Sequence, residues 1–226
     1  TISCSRMQSY VYGGAMMVIR SKLLSINCLF YKNYALWGAG VFINSKLFGD
    51  SSFIGCQFIE NRAFLYRYFV RTGWARAISV ENVRNFSVVH CQFVRNSAHY
   101  TAAVEIARTS YFYNIHNNYI QNIQHHDGTI SLVIDEPTKK WKKAEDWPKY
   151  VGINNTYFNN IHNGRGFLYT SNGVGTLYMK NVRSFTEIGG LFKNNKCKGN
   201  GGAIYWKNDQ SVGSGTIVGG IFSNNN

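Results

Sequence analysis

A short pattern of alternating hydrophobic and polar residues recurs along the chain. Each copy has an Ile or Val, then Cys, Asn or Gly two positions later, and then Phe or Tyr two positions after that. The copies begin at Ile26, Ile54, Val89, Ile115, Ile153, Ile188 and Val218. A period of two is typical of a β-strand with one buried face. The pattern therefore predicts one half-buried strand per copy, with all three residues facing inward.

Each copy ends in an asparagine, three residues after the aromatic residue. These asparagines are Asn33, Asn61, Asn96, Asn122, Asn160, Asn195 and Asn225. Asparagine tolerates left-handed backbone angles, and its amide can hydrogen-bond the strands above and below. We therefore expect these residues to form an asparagine ladder at the end of the strand.

A second strand is predicted about eleven residues after the Cys, Asn or Gly position. Its inward residues are expected at Ala15-x-Met17-x-Ile19, Ala39-x-Val41-x-Ile43, Ala102-x-Val104-x-Ile106 and Ala203-x-Tyr205. The chain has only 2 prolines but 22 glycines, 15 tyrosines and 15 phenylalanines, which favours strands and tight turns over helices. The sequence therefore predicts an all-β fold.

The spacing of the copies selects the architecture. The middle position advances by 24 residues from Cys4 to Cys28 and by 38 residues from Asn117 to Asn155. A propeller blade takes about 40 residues or more, whereas a parallel β-helix takes one short repeat per coil and accepts loops of variable length at its corners. We therefore expect a parallel β-helix of about eight coils, with inserted loops near residues 62–76 and 135–150. Residues 1–226 form a single domain in this interpretation, and we expect them to be a piece of a longer chain.

The five cysteines are an odd number and lack the paired spacing of zinc sites. We expect Cys4, Cys28, Cys56 and Cys91 to lie in one inward column. Parallel Cβ vectors suit a disulfide poorly, which favours buried thiols.

Two repeated phrases resemble those of a known family. The F-x-x-N tetrapeptides, together with Gly201-Gly202-Ala203-Ile204 and Gly13-Gly14-Ala15-Met16, resemble the repeats of chlamydial polymorphic membrane proteins and related protist surface proteins. The resemblance implies a right-handed, pectin-lyase-like β-helix that serves as a surface adhesin or stalk. It also implies a location at the cell surface or outside the cell.

The charge balance favours acidic partners. The chain has 24 Lys and Arg against 11 Asp and Glu, a formal charge of +13. An acidic protein surface and an anionic glycan are the expected partners. No helix-turn-helix, zinc-finger or RNA-binding phrase is present, so we expect no specific nucleic acid partner. No apolar run is long enough to predict a membrane span.

Two basic and aromatic segments are the candidate partner-binding sites. They contribute Arg67, Arg71 and Trp74 in the first insertion, and Lys139, Lys140, Trp141, Lys142, Lys143 and Trp147 in the second. Aromatic rings between cations can stack on sugars while the cations pair with anions. The alternative, a solvated loop whose tryptophans fold back over the edge of the rod, stays open.

Residues for catalysis are sparse. The acids are scattered, and the strongest enzymatic candidate is His125, His126 and Asp127, which could act as a base with its orienting acid or as metal ligands. A polar corner turn requires the same residue types and is the favoured interpretation. His90 and His116 occupy equivalent positions in successive repeats, but two ligands do not make a zinc site. We expect no metal and no cofactor.

Together these patterns predict a non-enzymatic structural or adhesive module that presents basic, aromatic loops to an acidic partner. Open ends of a β-helix can also stack, so self-association into a filament or larger assembly is expected. Two alternatives stay open. One is an intracellular scaffold on an acidic filament such as a microtubule, and the other is a polysaccharide lyase or hydrolase of the pectin-lyase-like class.

Overall fold

The structure, a computed structural model, describes residues 3–5, 7, 12–45, 49–63, 77–99, 101–124, 129–133, 148–163, 175–198, 201–208 and 213–226. Within these ranges the regular secondary structure is all β. None of these residues belongs to a helix long and apolar enough to cross a membrane. Every pairing between the described strands is parallel.

The strands form three long parallel sheets, and each repeat of the sequence adds strands to them. Sheet A contains β1 (Ser3–Ser5), β4 (Leu29–Tyr31), β8 (Gln57–Ile59), β12 (Gln92–Val94), β15 (Asn118–Ile120), β19 (Thr156–Phe158), β23 (Leu191–Lys193) and β27 (Ile221–Ser223). Sheet B contains β2 (Met16–Ile19), β6 (Val41–Asn44), β10 (Ile78–Glu81), β13 (Val104–Ala107), β17 (Ile130–Val133), β21 (Leu177–Lys180) and β25 (Ile204–Lys207). Sheet C contains β3 (Leu23–Ile26), β7 (Ser51–Ile54), β11 (Asn85–Val89), β14 (Tyr111–Ile115), β18 (Lys149–Ile153), β22 (Ser184–Ile188) and β26 (Ser214–Val218).

Short strands follow sheet A along the chain. They are β5 (Tyr34–Ala35), β9 (Arg62–Ala63), β16 (Ile123–Gln124), β20 (Ile161–His162) and β24 (Lys196–Cys197). Ser97 bridges to both Arg62 and Ile123, which connects the two groups of short strands. The chain thus passes from sheet C to sheet A, then to this short layer and to sheet B, before it returns to sheet C one strand further on.

In-register pairing stacks like residues in columns, and these columns form the core. The inward aromatic column of sheet A consists of Phe30, Phe58, Phe93, Tyr119, Tyr157 and Phe192. Neighbouring rings of this column lie nearly parallel, with centroids 4.3–5.1 Å apart. Each such pair adds about 0.5–1.5 kcal/mol beyond the burial of its apolar area.

The recurring Ile-x-Cys-x-aromatic phrase is not one strand, so that prediction is wrong. The phrase spans the end of a sheet C strand, a turn and the start of a sheet A strand. The residue between the two strands has a left-handed backbone, for example Gly55 (φ 63°) and His90 (φ 53°). Because the chain bends there, the leading aliphatic residue faces outward, and Ile26 is 51% exposed. The middle residue and the aromatic residue face inward as predicted.

The second predicted strand corresponds to sheet B, but two of its four copies are assigned one residue out of register. Met17 pairs with Phe42 and is 51% exposed, whereas its neighbour Met16 pairs with the inward Val41. The strand near residue 204 is shifted in the same way, because Tyr205 pairs with Tyr178 on the outer face. Both misassigned copies are end strands of sheet B, and each carries hydrophobic residues on both faces, so hydrophobicity does not mark their inner face.

Cys4 does not belong to the thiol column, contrary to the sequence prediction. It pairs with Phe30 and so occupies the aromatic position of its repeat. Met7 then takes the ladder position, and its N–H donates to Asn33 Oδ1 at 3.2 Å. The repeats vary in length, so the distance from Cys4 to Cys28 cannot show whether Cys4 lies in the thiol column or in the aromatic column two residues further along. The described column of unpaired thiols therefore begins at Cys28.

The structure describes the start of the first predicted insertion and the end of the second, and both belong to strands rather than to loops. Arg62 and Ala63 form β9, and Lys149 and Tyr150 begin β18. Tyr150 is completely buried. The loops near residues 62–76 and 135–150 therefore exclude these four positions.

Candidate functional site

A groove with a volume of about 610 Å³ runs along the corner between sheet A and the short strands. We call it the corner groove. One wall consists of the turn residues after sheet A, and the other consists of residues two positions further along the chain. The walls are Glu60, Arg95, Gln121, Asn159 and Asn194 on one side, and Arg62, Ser97, Ile123, Ile161 and Lys196 on the other.

A left-handed turn residue creates the groove in each repeat. Glu60, Arg95 and Gln121 have φ values of 53–54°. The next residue faces inward, and the residue after that begins the second wall. A non-glycine residue in this conformation costs about 1–2 kcal/mol, so the surrounding contacts must hold the turn in place.

Those contacts come from a column of asparagines beneath the groove. The column comprises Asn33, Asn61, Asn96, Asn122, Asn160, Asn195 and Asn225. Each Nδ2 up to that of Asn195 donates to Oδ1 of the next asparagine at 2.9–3.1 Å. The same Oδ1 accepts a backbone N–H from the preceding asparagine, as Asn122 does from Asn96 at 3.0 Å.

The prediction that these asparagines adopt left-handed backbone angles is wrong. The left-handed residue at this turn is the one before the asparagine, for example Lys32 (φ 52°) before Asn33. The amide hydrogen bonds therefore account for asparagine here, and the preceding position accepts Lys, Glu, Arg, Gln or Asn. That variable position faces the solvent, where it can serve binding.

The corner groove is electropositive. Glu60 lies between two cations, with Arg95 Nη2 at 2.9 Å and Lys32 Nζ at 3.5 Å. Of the lining residues, Arg62, Arg95 and Lys196 are cationic and Glu60 is anionic, a net charge of +3 − 1 = +2. Since the pairs of Glu60 are partly exposed, their effect on stability is small. Their main consequence is to fix the position of Arg95 at the groove wall.

The middle of the groove is uncharged. Ile123 and Ile161 provide aliphatic surface, and Gln121, Asn159 and Asn194 provide amide donors and acceptors beside it. Ligand sites commonly combine an apolar surface with a few placed polar groups. The arrangement suits an extended polar ligand with anionic groups at intervals.

The residues that the sequence assigns to partner binding lie outside the described residues. They are Arg67, Arg71, Trp74, Lys139, Lys140, Trp141, Lys142, Lys143 and Trp147. The catalytic candidates His125, His126 and Asp127 also lie outside them. These assignments stay predictions.

His90 and His116 are stacked neighbours on the turn between sheets C and A. Their ring centroids are 5.0 Å apart and their planes differ by 12°. Within the part of the chain that the structure describes, no group of three or more His, Cys, Asp or Glu is placed to hold a metal ion. The pair therefore lacks a third ligand among the described residues.

A buried polar cluster is the feature that the sequence interpretation missed. Asn114 and Glu187 occupy the inward sheet C column that holds Phe53 and Val88 in earlier repeats. Burial raises the pKa of Glu187 to about 7, although hydrogen bonds from Tyr150 and Asn155 oppose the shift. Because the Ile-x-Cys-x-aromatic phrase was assigned to one strand, the sheet C column could not be aligned from the sequence.

Comparison with known proteins gives no relative: no family model, no curated protein and no solved structure matches this chain.

Proposed function

We propose that the chain is a right-handed parallel β-helix that acts as a non-enzymatic structural or adhesive module and binds an acidic partner. The β-helix is supported by parallel sheets that the chain visits in a constant order, gaining one strand in each sheet per repeat. The right hand follows the common rule for parallel crossover connections. A cell surface or a larger assembly is the setting that we propose.

The observation that carries the function is the corner groove. Its cations lie at the two ends, and its amides and aliphatic side chains lie between them, on turns held by the asparagine ladder. A rigid electropositive groove selects an extended anionic partner, either an acidic protein segment or an anionic glycan. The basic segments around residues 67–74 and 139–147 add to the positive charge that favours such a partner.

The test compares two variants with equal loss of charge. One carries Arg62→Gln, Arg95→Gln and Lys196→Gln in the corner groove. The matched control carries Arg20→Gln, Lys22→Gln and Arg108→Gln, which lie outside it. Binding to heparin and to polyglutamate is measured by calorimetry at several salt concentrations.

We expect the groove variant to lose about tenfold or more in affinity, since each lost ion pair with a bound anion contributes on the order of 1 kcal/mol. The control should lose far less, because only the long-range field changes. Equal losses in the two variants would show that net charge alone attracts the ligand. That result would contradict the groove as the binding site.

The two alternatives from the sequence stay predictions. An intracellular scaffold would bind acidic filaments through the same groove chemistry. A polysaccharide lyase or hydrolase requires an available acid or base, whereas the carboxylate in this groove, Glu60, is engaged by two cations.

A further inference from the structure

A chain of hydrogen bonds runs through the interior and ends at a carboxyl group. Tyr119 donates its hydroxyl hydrogen to Asn114 Oδ1 at 2.7 Å. Asn114 Nδ2 lies 2.8 Å from the hydroxyl of Tyr157 and 2.9 Å from that of Tyr150. The two tyrosine hydroxyls are 3.1 Å apart, and Tyr150 donates to Glu187 Oε2 at 2.9 Å. We call these five buried residues the relay.

Backbone contacts fix the direction of the relay through Asn117. The Oδ1 of Asn117 accepts the N–H of Cys91 at 2.7 Å, so its Nδ2 must be the donor. That Nδ2 donates to the carbonyl of Val88 and to Asn114 Oδ1, both at 2.7 Å. Asn114 therefore presents its oxygen to Asn117 and its NH₂ group to the two tyrosines.

The remaining hydrogens then follow. Both tyrosine oxygens accept from Asn114, so the hydrogen of Tyr157 points to Tyr150 and the hydrogen of Tyr150 points to Glu187. Every donor in this arrangement has an acceptor when Glu187 is ionised. The relay thus ends in a carboxylate that is held entirely by neutral donors.

The second carboxylate oxygen is fixed in the same way by Asn155. Its Oδ1 accepts the N–H of Asn117 at 3.0 Å. Its Nδ2 donates to the carbonyl of Asn114 at 2.7 Å and faces Glu187 Oε1 at 3.5 Å. A proton on Oε1 would compete with this donor, whereas a proton on Oε2 faces the hydroxyl of Tyr150, so we place the proton on Oε2.

Protonation at Oε2 reverses the two hydroxyls. Tyr150 must then accept from Glu187 and donate to Tyr157. The hydroxyl hydrogen of Tyr157 then has no acceptor in the relay, because Tyr150 and the NH₂ group of Asn114 both donate to Tyr157. An unsatisfied buried hydroxyl is unfavourable, so the relay has two distinct hydrogen-bond states. Its hydrogen bonds favour the ionised carboxylate, whereas desolvation favours the protonated one and is the larger of the two effects.

The surroundings of Glu187 contain no compensating cation among the described residues. Strand β18 presents Tyr150 and Gly152, and β26 presents Ile217 in register. The other ionisable groups near the relay are Tyr119, Tyr157 and, beyond Tyr119, Cys91. Burial raises the pKa of all three tyrosines well above the usual value, so they stay neutral near pH 7.

The relay touches the corner groove through two backbone carbonyls. Tyr119 accepts from Asn160 Nδ2 at 2.8 Å, and Tyr157 accepts from Asn195 Nδ2 at 2.9 Å. Asn160 and Asn195 belong to the asparagine ladder and lie between wall residues of the groove. The relay and this half of the groove, around Asn159 and Lys196, are therefore joined by hydrogen bonds through the asparagine ladder.

We propose that Glu187 and the relay form a pH-sensitive switch that sets the stability of the surrounding repeats. Desolvation raises the pKa of Glu187 from 4.5 to about 7, so the switch operates at neutral pH. The folded state then binds the proton more tightly than the unfolded chain does. The stabilisation is complete below pH 4.5 and is lost as the pH rises to about 7.

The test is urea unfolding of the wild type and Glu187→Gln from pH 5 to pH 8.5. Over this range the unfolding constant of the wild type should rise relative to that of the variant by on the order of 100-fold. Asp50→Asn is the control. The pKa of Asp50 lies below its usual value, although burial opposes the shift, because Arg84 and Asn85 hydrogen-bond its carboxylate. Asp50 therefore stays ionised over this range, and the ratio of this variant to the wild type should stay constant. A constant ratio for Glu187→Gln as well would overturn the proposal.

Infrared difference spectra of the wild type provide a second test that needs no variant. They should show a buried carboxyl group that loses its proton with a midpoint near pH 7. The absence of any carboxyl titration between pH 6 and 8 would overturn the proposal, even if Glu187→Gln fails to fold. Neither test uses a ligand, so failure to bind heparin would contradict only the proposed function.

Discussion

At the scale of single residues, the asparagine ladder shows how one side-chain type can occupy a buried polar column. An amide has two hydrogens to donate and an oxygen with two lone pairs. In Asn122 both hydrogens are used, on the carbonyl of Phe93 and on Asn160, and the oxygen accepts twice from Asn96. No polar group of the side chain is left unsatisfied, which is why burial of this column is tolerated.

Replacing a ladder residue should therefore be costly. Asn122→Ala leaves the backbone N–H and the Nδ2 of Asn96 without their shared acceptor. We expect a loss of about 3 kcal/mol in the free energy of unfolding, measured in urea. Asn118→Ala, at a partly exposed position nearby, is the control and should change stability by less than about 0.5 kcal/mol. Similar losses in both variants would contradict the ladder.

The thiol column gives a second prediction at this scale. Cys56 and Cys91 are completely buried, and the N–H of Cys56 lies 3.3 Å from Cys91 Sγ. Cys28 is only partly buried. In the native state iodoacetamide should modify Cys28 before the other two thiols of this column, with Cys56 and Cys91 reacting only after unfolding. Peptide mass spectrometry after a short pulse measures the order, and early labelling of Cys91 would contradict the burial.

At the scale of elements, the turns decide where each strand ends. Left-handed residues separate sheet C from sheet A and sheet A from the short strands, and they also follow several strands of sheet B, as at Arg108 (φ 56°). The sequence pattern indicated the inward columns because burial restricts residue type there. It did not indicate the turns, because the left-handed positions hold Gly, Asn, His, Lys, Glu, Arg and Gln.

Glycine substitution tests the turn assignment. Arg108→Gly removes the steric strain of the left-handed backbone, so the free energy of unfolding should be unchanged or rise by up to about 1 kcal/mol. Thr186→Gly, in the strand β22, should lower it by about 1 kcal/mol. Both values follow from urea unfolding at one pH. Equal destabilisation by the two glycines would contradict the turn at Arg108.

At the scale of the whole molecule, the sequence was sufficient for the all-β class and for the stacking of like residues, because each repeat carries the same inward aromatic residue. It was insufficient for register in the end strands of sheet B, because these strands carry hydrophobic residues on both faces, as at Met16 and Met17. The relay could not be predicted from the sequence for a different reason. Its members are scattered over the sequence, and only the alignment of sheet C brings Asn114 and Glu187 together.

The position of a bound partner tests whether the corner groove is the binding site, and two pairs of isoleucines allow a matched comparison. Ile123 and Ile161 lie in the corner groove. Ile54 and Ile188 lie on the outer face of sheet C, where Ile54 is as exposed as Ile123, at 37%. These four side chains have the same chemistry, so a difference in their protection from oxidation reports only where the partner lies.

Hydroxyl-radical footprinting with and without heparin is therefore the most direct measurement. We expect heparin to lower the oxidation of Ile123 and Ile161 and to leave that of Ile54 and Ile188 unchanged. Protection of the sheet C isoleucines, or binding of heparin with no protection of Ile123 and Ile161, would contradict the corner groove as the binding site.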